Sequence, residues 1–158
     1  MTPREYLETV VRPNVSEFHD NHADLRLAHN AVASVDALAA HIYVWVKFNG
    51  PPAVTPFSDD TAYRAALCKR SGEFSLLRDI AKALKHVQLT RGAPQVTRSD
   101  QIVTHRPAYG EGDYGMGHYG GAQQVIVNLG LIHFAYLETT VDCALAFLEH
   151  EMGEVGCG

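Results

Sequence analysis

The sequence predicts a mainly α protein, an up-and-down bundle of four or five helices carrying a small C-terminal antiparallel β-hairpin or sheet and a glycine-rich loop. Three observations predict it. Two long stretches, 24–48 and 74–90, repeat their apolar residues at helical spacing. Capping residues and Gly/Pro breakers cut the first ninety residues into helix-sized pieces. Beyond Gln95 the apolar period shortens to that of strands. We therefore expect one domain, with the helical bundle over 3–90, the β appendage over 95–137 and a closing helix over 139–152.

The first helix is expected from Pro3 to about Asp20. Thr2 stands at the N-cap, Pro3 at the first helical position and Glu5 in the capping-box position. Pro13 removes a backbone donor from its interior, so a kink or fresh start is expected near Arg12. The second helix, from about Asp24 to Phe48, carries Leu25, Ala28, Val32, Val35, Ala39, Ile42 and Val46 at alternating spacings of three and four. That is the seam of a helix paired lengthwise with another, and its alanines permit close approach. On an adjacent face His22, His29, Asp36 and Tyr43 recur every seven residues, read as a half-buried polar stripe. Asn49-Gly50-Pro51-Pro52 ends the helix, glycine by accepting a left-handed conformation and proline by breaking the ladder.

Ser58 or Asp59 is expected to cap a third helix reaching about Arg70, and Ser71-Gly72 connects it to the fourth. In that fourth segment Phe74, Leu77, Ala81 and Leu84 form one apolar line, widened by Leu76, Ile80, Ala83 and Val87. Strands follow at Gln101–Thr104, Gln124–Val127 and Leu131–Tyr136, the last two as a hairpin turning near Asn128–Gly130. Between the first two strands lies a glycine- and tyrosine-rich stretch, Tyr109 to Gly121, expected to be an irregular loop. Thr139 or Thr140 is expected to cap the final helix, and Gly153 to Gly158 to fray.

Composition narrows the function classes. Apolar residues make up 46% and charged residues 20%, the balance of an ordinary globule. No uninterrupted apolar run approaches the roughly 18 residues of a membrane span, and no basic, greasy leader opens the chain, so we expect a cytoplasmic protein with no membrane partner. Three scattered cysteines and no CxxC give no disulfide framework or cysteine zinc site. The nine histidines show no HExxH or tight cluster; only His19 and His22 stand close enough to share an ion, and no metal is expected. Gly110-Glu111-Gly112-Asp113-Tyr114-Gly115 matches a dinucleotide fingerprint in letters alone, since no strand precedes it and no helix follows; no cofactor is expected.

The net charge of −5 conceals a split. From Arg64 to Arg106 nine Lys or Arg face three acids, a local +6, while the remainder has four against fifteen, or −11. A basic middle third fits a polyanion site; the competing reading is that basic and acidic segments meet within the fold or across a dimer. The wet side of the fourth helix carries Arg78, Asp79, Lys82, Lys85 and His86, with Arg91 just beyond. Lys82 is three residues after Asp79 and four before His86, so these three are neighbours on one face. A histidine near neutrality and an arginine are the parts metal-free RNA cleavage needs: His86 for proton transfer, Arg78 for the charged phosphorane, Asp79 beside them. Lys82, Lys85 and Arg91 would hold the nucleic-acid backbone. A two-fold dimer apposing two such helices would make the site compact, and the heptad seam points to a homodimer. The competing reading is an ionic row that fixes helix packing.

An arginine followed by a polar residue and later a histidine, on a late helix of a small bundle, resembles the HEPN superfamily of bacterial helical domains. RDIAKALKH, the glycine and tyrosine loop, and a hairpin running into a last helix look like a group of small uncharacterised bacterial proteins loosely attached to it. The resemblance implies a protein of defence or toxin–antitoxin type contacting RNA or nucleotides, in many members a metal-independent endoribonuclease working as a dimer, in others a noncatalytic module for a protein partner. It carries over only to Arg78, Asp79 and His86, whose spacing is longer than the family's nuclease motif.

Overall fold

The computed structural model describes residues 1–50, 57–106, 122–130 and 133–157. It is mainly α, with a small three-stranded antiparallel sheet near the C-terminus. The Gly/Tyr stretch expected as a loop, Tyr109 to Gly121, lies outside the described residues.

The first helix begins as expected: Thr2 accepts from the Glu5 amide at 3.1 Å and Glu5 returns the bond to the Thr2 amide at 2.7 Å. At Pro13 it makes the fresh start expected near Arg12. Helix α1 (Pro3–Tyr6) runs through a π turn (Leu7–Val11) into α2 (Arg12–Asp20) with helical backbone at both junctions. Proline at 13 cannot donate to the carbonyl of Thr9, and the wider π turn absorbs the missing bond. The extra residue per turn also aligns Leu7, Val11 and Val15, spaced by four, so that all three are buried with Phe18.

Helix α3 (Leu25–Asn49) is the axis of the molecule and packs against α1, α2, α4, α5 and α6. The Asp24 carboxylate caps it, accepting from the amides of Arg26 and Leu27 at 2.8 and 3.1 Å. Ala28, Val32, Val35, Ala39, Ile42 and Val46 of the seam are buried; Leu25 alone is exposed. The chain's own helices fill that seam, so it no longer argues for a second copy. By length and composition α3 also passes as a membrane span, contrary to the reading of short apolar runs, because His41 and Lys47 do not dilute it enough. Half of its most apolar window is buried inside the protein. Gly50 ends it for a different reason than expected: φ is −78°, and a Cβ there would stand 2.6 Å from the Val46 carbonyl oxygen.

Helix α4 (Asp60–Arg70) is capped by Asp59 and α5 (Gly72–His86) by Ser71, whose hydroxyl accepts from the Phe74 amide at 3.1 Å. Phe74, Leu76, Leu77, Ile80 and Ala83 of α5 are buried, facing α3 and α6. The helix stops at His86, short of the expected Thr90, because Val87 has φ +65° and ψ −46°. With the Gln88 amide on the His86 carbonyl at 2.7 Å, this is the γ-turn of positive φ, rare for a β-branched residue.

Strands β1 (Ile102–His105), β2 (Gln124–Asn128) and β3 (Phe134–Tyr136) pair in that order, Val103 opposite Ile126 and Val127 opposite Ala135. Ile102, Val125, Val127 and Leu137 join the same apolar core as the helices. Helix α6 (Leu137–Glu154) starts before the threonines expected to cap it, and the Thr140 hydroxyl instead donates back to the Tyr136 carbonyl at 3.1 Å. Through Cys157 the tail is held rather than frayed. Gly156, at φ +70°, donates to Gly153 while the Cys157 amide donates to Met152 at 2.8 Å, a Schellman closure that buries Cys157.

Candidate nucleic-acid interface

The wet side of α5 sorts its residues into two environments. Arg78 is half-buried and one of its terminal nitrogens, Nη1, is buried without a hydrogen-bond partner among the described residues. Its positive charge is among those that act on Asp36 of α3. Arg64 of α4 bridges Asp36 at 2.8 Å and Asp60 at 2.6 Å, both Arg64 and Asp36 side chains being 19% exposed. Burial raises the pKa of Asp36, and Arg64 and then Arg78 pull it back only in part.

Asp79 is buried and fully occupied. Its Oδ2 accepts the Gln95 backbone amide at 2.9 Å, and its Oδ1 meets the Lys82 ammonium at 3.4 Å. A carboxylate held between a main-chain amide and a lysine organises structure; it is poorly placed to move a proton. The ionic-row reading therefore holds for Asp79 and Lys82.

Lys85 and His86 are exposed in the last turn of α5, where cations also meet the negative end of the helix dipole. Arg91 is exposed in the following loop. Among the described residues none of these three is in an ion pair. The Lys82 side chain is 45% exposed despite its contact with Asp79. Arg78 and His86, by contrast, stand eight residues apart on one helix, roughly 12 Å along the axis and about 80° around it. One chain does not bring them onto one phosphate.

The half-buried polar stripe expected beside the α3 seam holds at His22, Asp36 and Tyr43, which are half-buried or buried, and fails at His29. His29 is exposed, Asp36 is committed to Arg64, and the Tyr43 hydroxyl donates weakly to the Phe57 carbonyl at 3.4 Å. The His19 side chain of α2 reaches two carboxylates of α6, with Nε2 2.8 Å from Asp142 and 4.0 Å from Glu138. No group of three or more His, Cys, Asp or Glu among the described residues is arranged to hold a metal ion.

Two clusters escaped the sequence. The Asp36–Arg64 pair spans 28 residues, and only its Asp60–Arg64 half had a local signature, the four-residue helical spacing. Glu151 of α6 is buried, accepts from the Tyr63 hydroxyl at 3.3 Å and pairs with Arg70 at 2.7 Å; burial and the carboxylate beside it push the Tyr63 pKa up. A groove of about 560 Å³ lies elsewhere, lined by Met1, Ala40, His41, Val44, Trp45 and Phe48, with His41 stacked on Tyr6 at 3.9 Å. It shares no residue with the cationic end of α5.

No family model, no curated protein and no solved structure matches this chain.

Proposed function

We propose that the chain is a HEPN-like binding module of the defence or toxin–antitoxin kind, contacting RNA or nucleotides through the outer side of α5 and the loop behind it. The observation that carries this reading is the exposed group Lys82, Lys85, His86 and Arg91, three of them outside any ion pair among the described residues. A protein of net charge −5 gains little from keeping cations together unless something anionic meets them. The occupied Asp79 and the separation of Arg78 from His86 favour contact without cleavage by one chain.

The test is fluorescence anisotropy of a labelled single-stranded RNA in chelator at a series of salt concentrations. Binding is expected to weaken with salt, and Lys85→Ala and Arg91→Ala each to flatten the log–log slope by about 0.7, the counterion released per single-strand phosphate contact. Binding absent at low salt, or unaffected by both substitutions, overturns the proposal. RNA that is cut in chelator by wild type and spared by His86→Ala would replace it with the alternative, an endoribonuclease assembled from two copies.

A further inference from the structure

Resting on that reading, we infer that Asp79 is a positioning residue: its carboxylate pins the loop after α5 and so sets where Arg91 stands in the cationic face. The loop leaves α5 through the turn at Val87 and comes back alongside itself. The Leu89 amide donates to the Thr97 carbonyl at 2.7 Å, the Ser99 amide to the Val87 carbonyl at 2.9 Å, and Gln88 bridges Arg98. Val96 is wholly buried and anchors the returning limb. One bond ties that limb to the middle of α5, the Gln95 amide on Asp79 at 2.9 Å. Arg91 sits in the short span between pinned Leu89 and pinned Gln95, so its backbone has little room to wander. Amide-to-carboxylate bonds are charge-assisted and stronger than neutral ones, which suits a single tether.

The two roles of Asp79 separate by substitution. Asparagine keeps an oxygen for the Gln95 amide and drops the charge that holds Lys82; alanine drops both. In wild type, Arg91→Ala is expected to weaken RNA binding about fivefold, the upper range for one exposed charge contact. The same factor is expected in an Asp79→Asn background, which itself binds as well as or better than wild type because Lys82 is released. In an Asp79→Ala background Arg91→Ala should have no measurable effect. The inference is overturned if Arg91→Ala acts equally in wild type and in Asp79→Ala, or if Asp79→Asn loses the Arg91 contribution as alanine does. Hydrogen exchange at the Gln95 amide judges the tether independently of RNA. Protection in wild type and Asp79→Asn supports it, and rapid exchange in wild type overturns it, even if Asp79→Ala does not fold or the RNA reading itself fails.

Discussion

At Val87 a left-handed backbone is imposed on a β-branched side chain that is 67% exposed, so the site tests conformational strain almost free of packing. A side chain in this region costs about 1–2 kcal/mol through the clash of Cβ with the neighbouring carbonyl. Glycine escapes that clash but forfeits about 0.4–1 kcal/mol of unfolded-chain entropy. The balance favours Val87→Gly over Val87→Ala by about 0.5–1 kcal/mol. At an ordinary helical position the order is reversed, glycine being about 1 kcal/mol worse. With about 2.1 cal/mol/K of unfolding entropy per residue over 158 residues, the glycine variant should melt about 1.5–3 °C above the alanine variant. Calorimetry of the two variants side by side provides the check. An alanine variant as stable as the glycine one would show that α5 simply runs on past His86, and the γ-turn account would fall.

Two other predictions concern buried titratable groups. Because burial raises the pKa of Asp36, its contribution to stability is fully present below the ordinary carboxylate range and is lost as pH rises through the raised value in the fold. Asp36→Asn keeps an acceptor for Arg64 and should flatten the fall of unfolding free energy across that mildly acidic window in urea titrations; an unchanged slope refutes the assignment. Burial first, and then Glu151, push the Cys157 thiol up to about 11, whereas Cys143 is exposed. Alkylation in mildly alkaline buffer, read by mass spectrometry, should label Cys143 well before Cys157, with Gly156→Ala speeding the second by straining the closure at φ +70°. Equal rates at the two cysteines in the native protein would contradict the burial.

What was legible in the sequence was written in short-range chemistry. Thr2 with Glu5, Asp24 and Asp59 each satisfy amides two or three residues away, so their helices begin close to where the letters say, whereas Ser71, read as part of a connection, caps α5 and starts it at Gly72, ahead of Phe74. The seam of α3 was likewise periodic over enough residues to be read, and β2 was legible as a short β-branched run, buried at all four positions from Gln124 to Val127. The end of α5 was not legible, since valine is among the last residues expected at positive φ and only the returning loop, with Val96 and Gln95 as anchors, holds it there. Gly156 did carry the mark of a helix stop, but its value depends on Cys157 finding a buried place. At the candidate interface the exposed cations were visible as a charge run. The commitment of Asp79 to a main-chain amide 16 residues away has no residue signature at all.

Gln101 gives the molecule an unexpected mechanical connection. Its Oε1 accepts from the Thr97 amide, the Thr97 hydroxyl and the Arg98 amide, while its Nε2 donates to the Asn128 carbonyl on β2 at 2.7 Å. One side-chain amide thus acts as a strut between the sheet and the limb that returns past α5. Losing that one side chain would cut the sheet's link to Thr97 and Arg98, the residues that in turn pair with Leu89 and Gln88 just after α5.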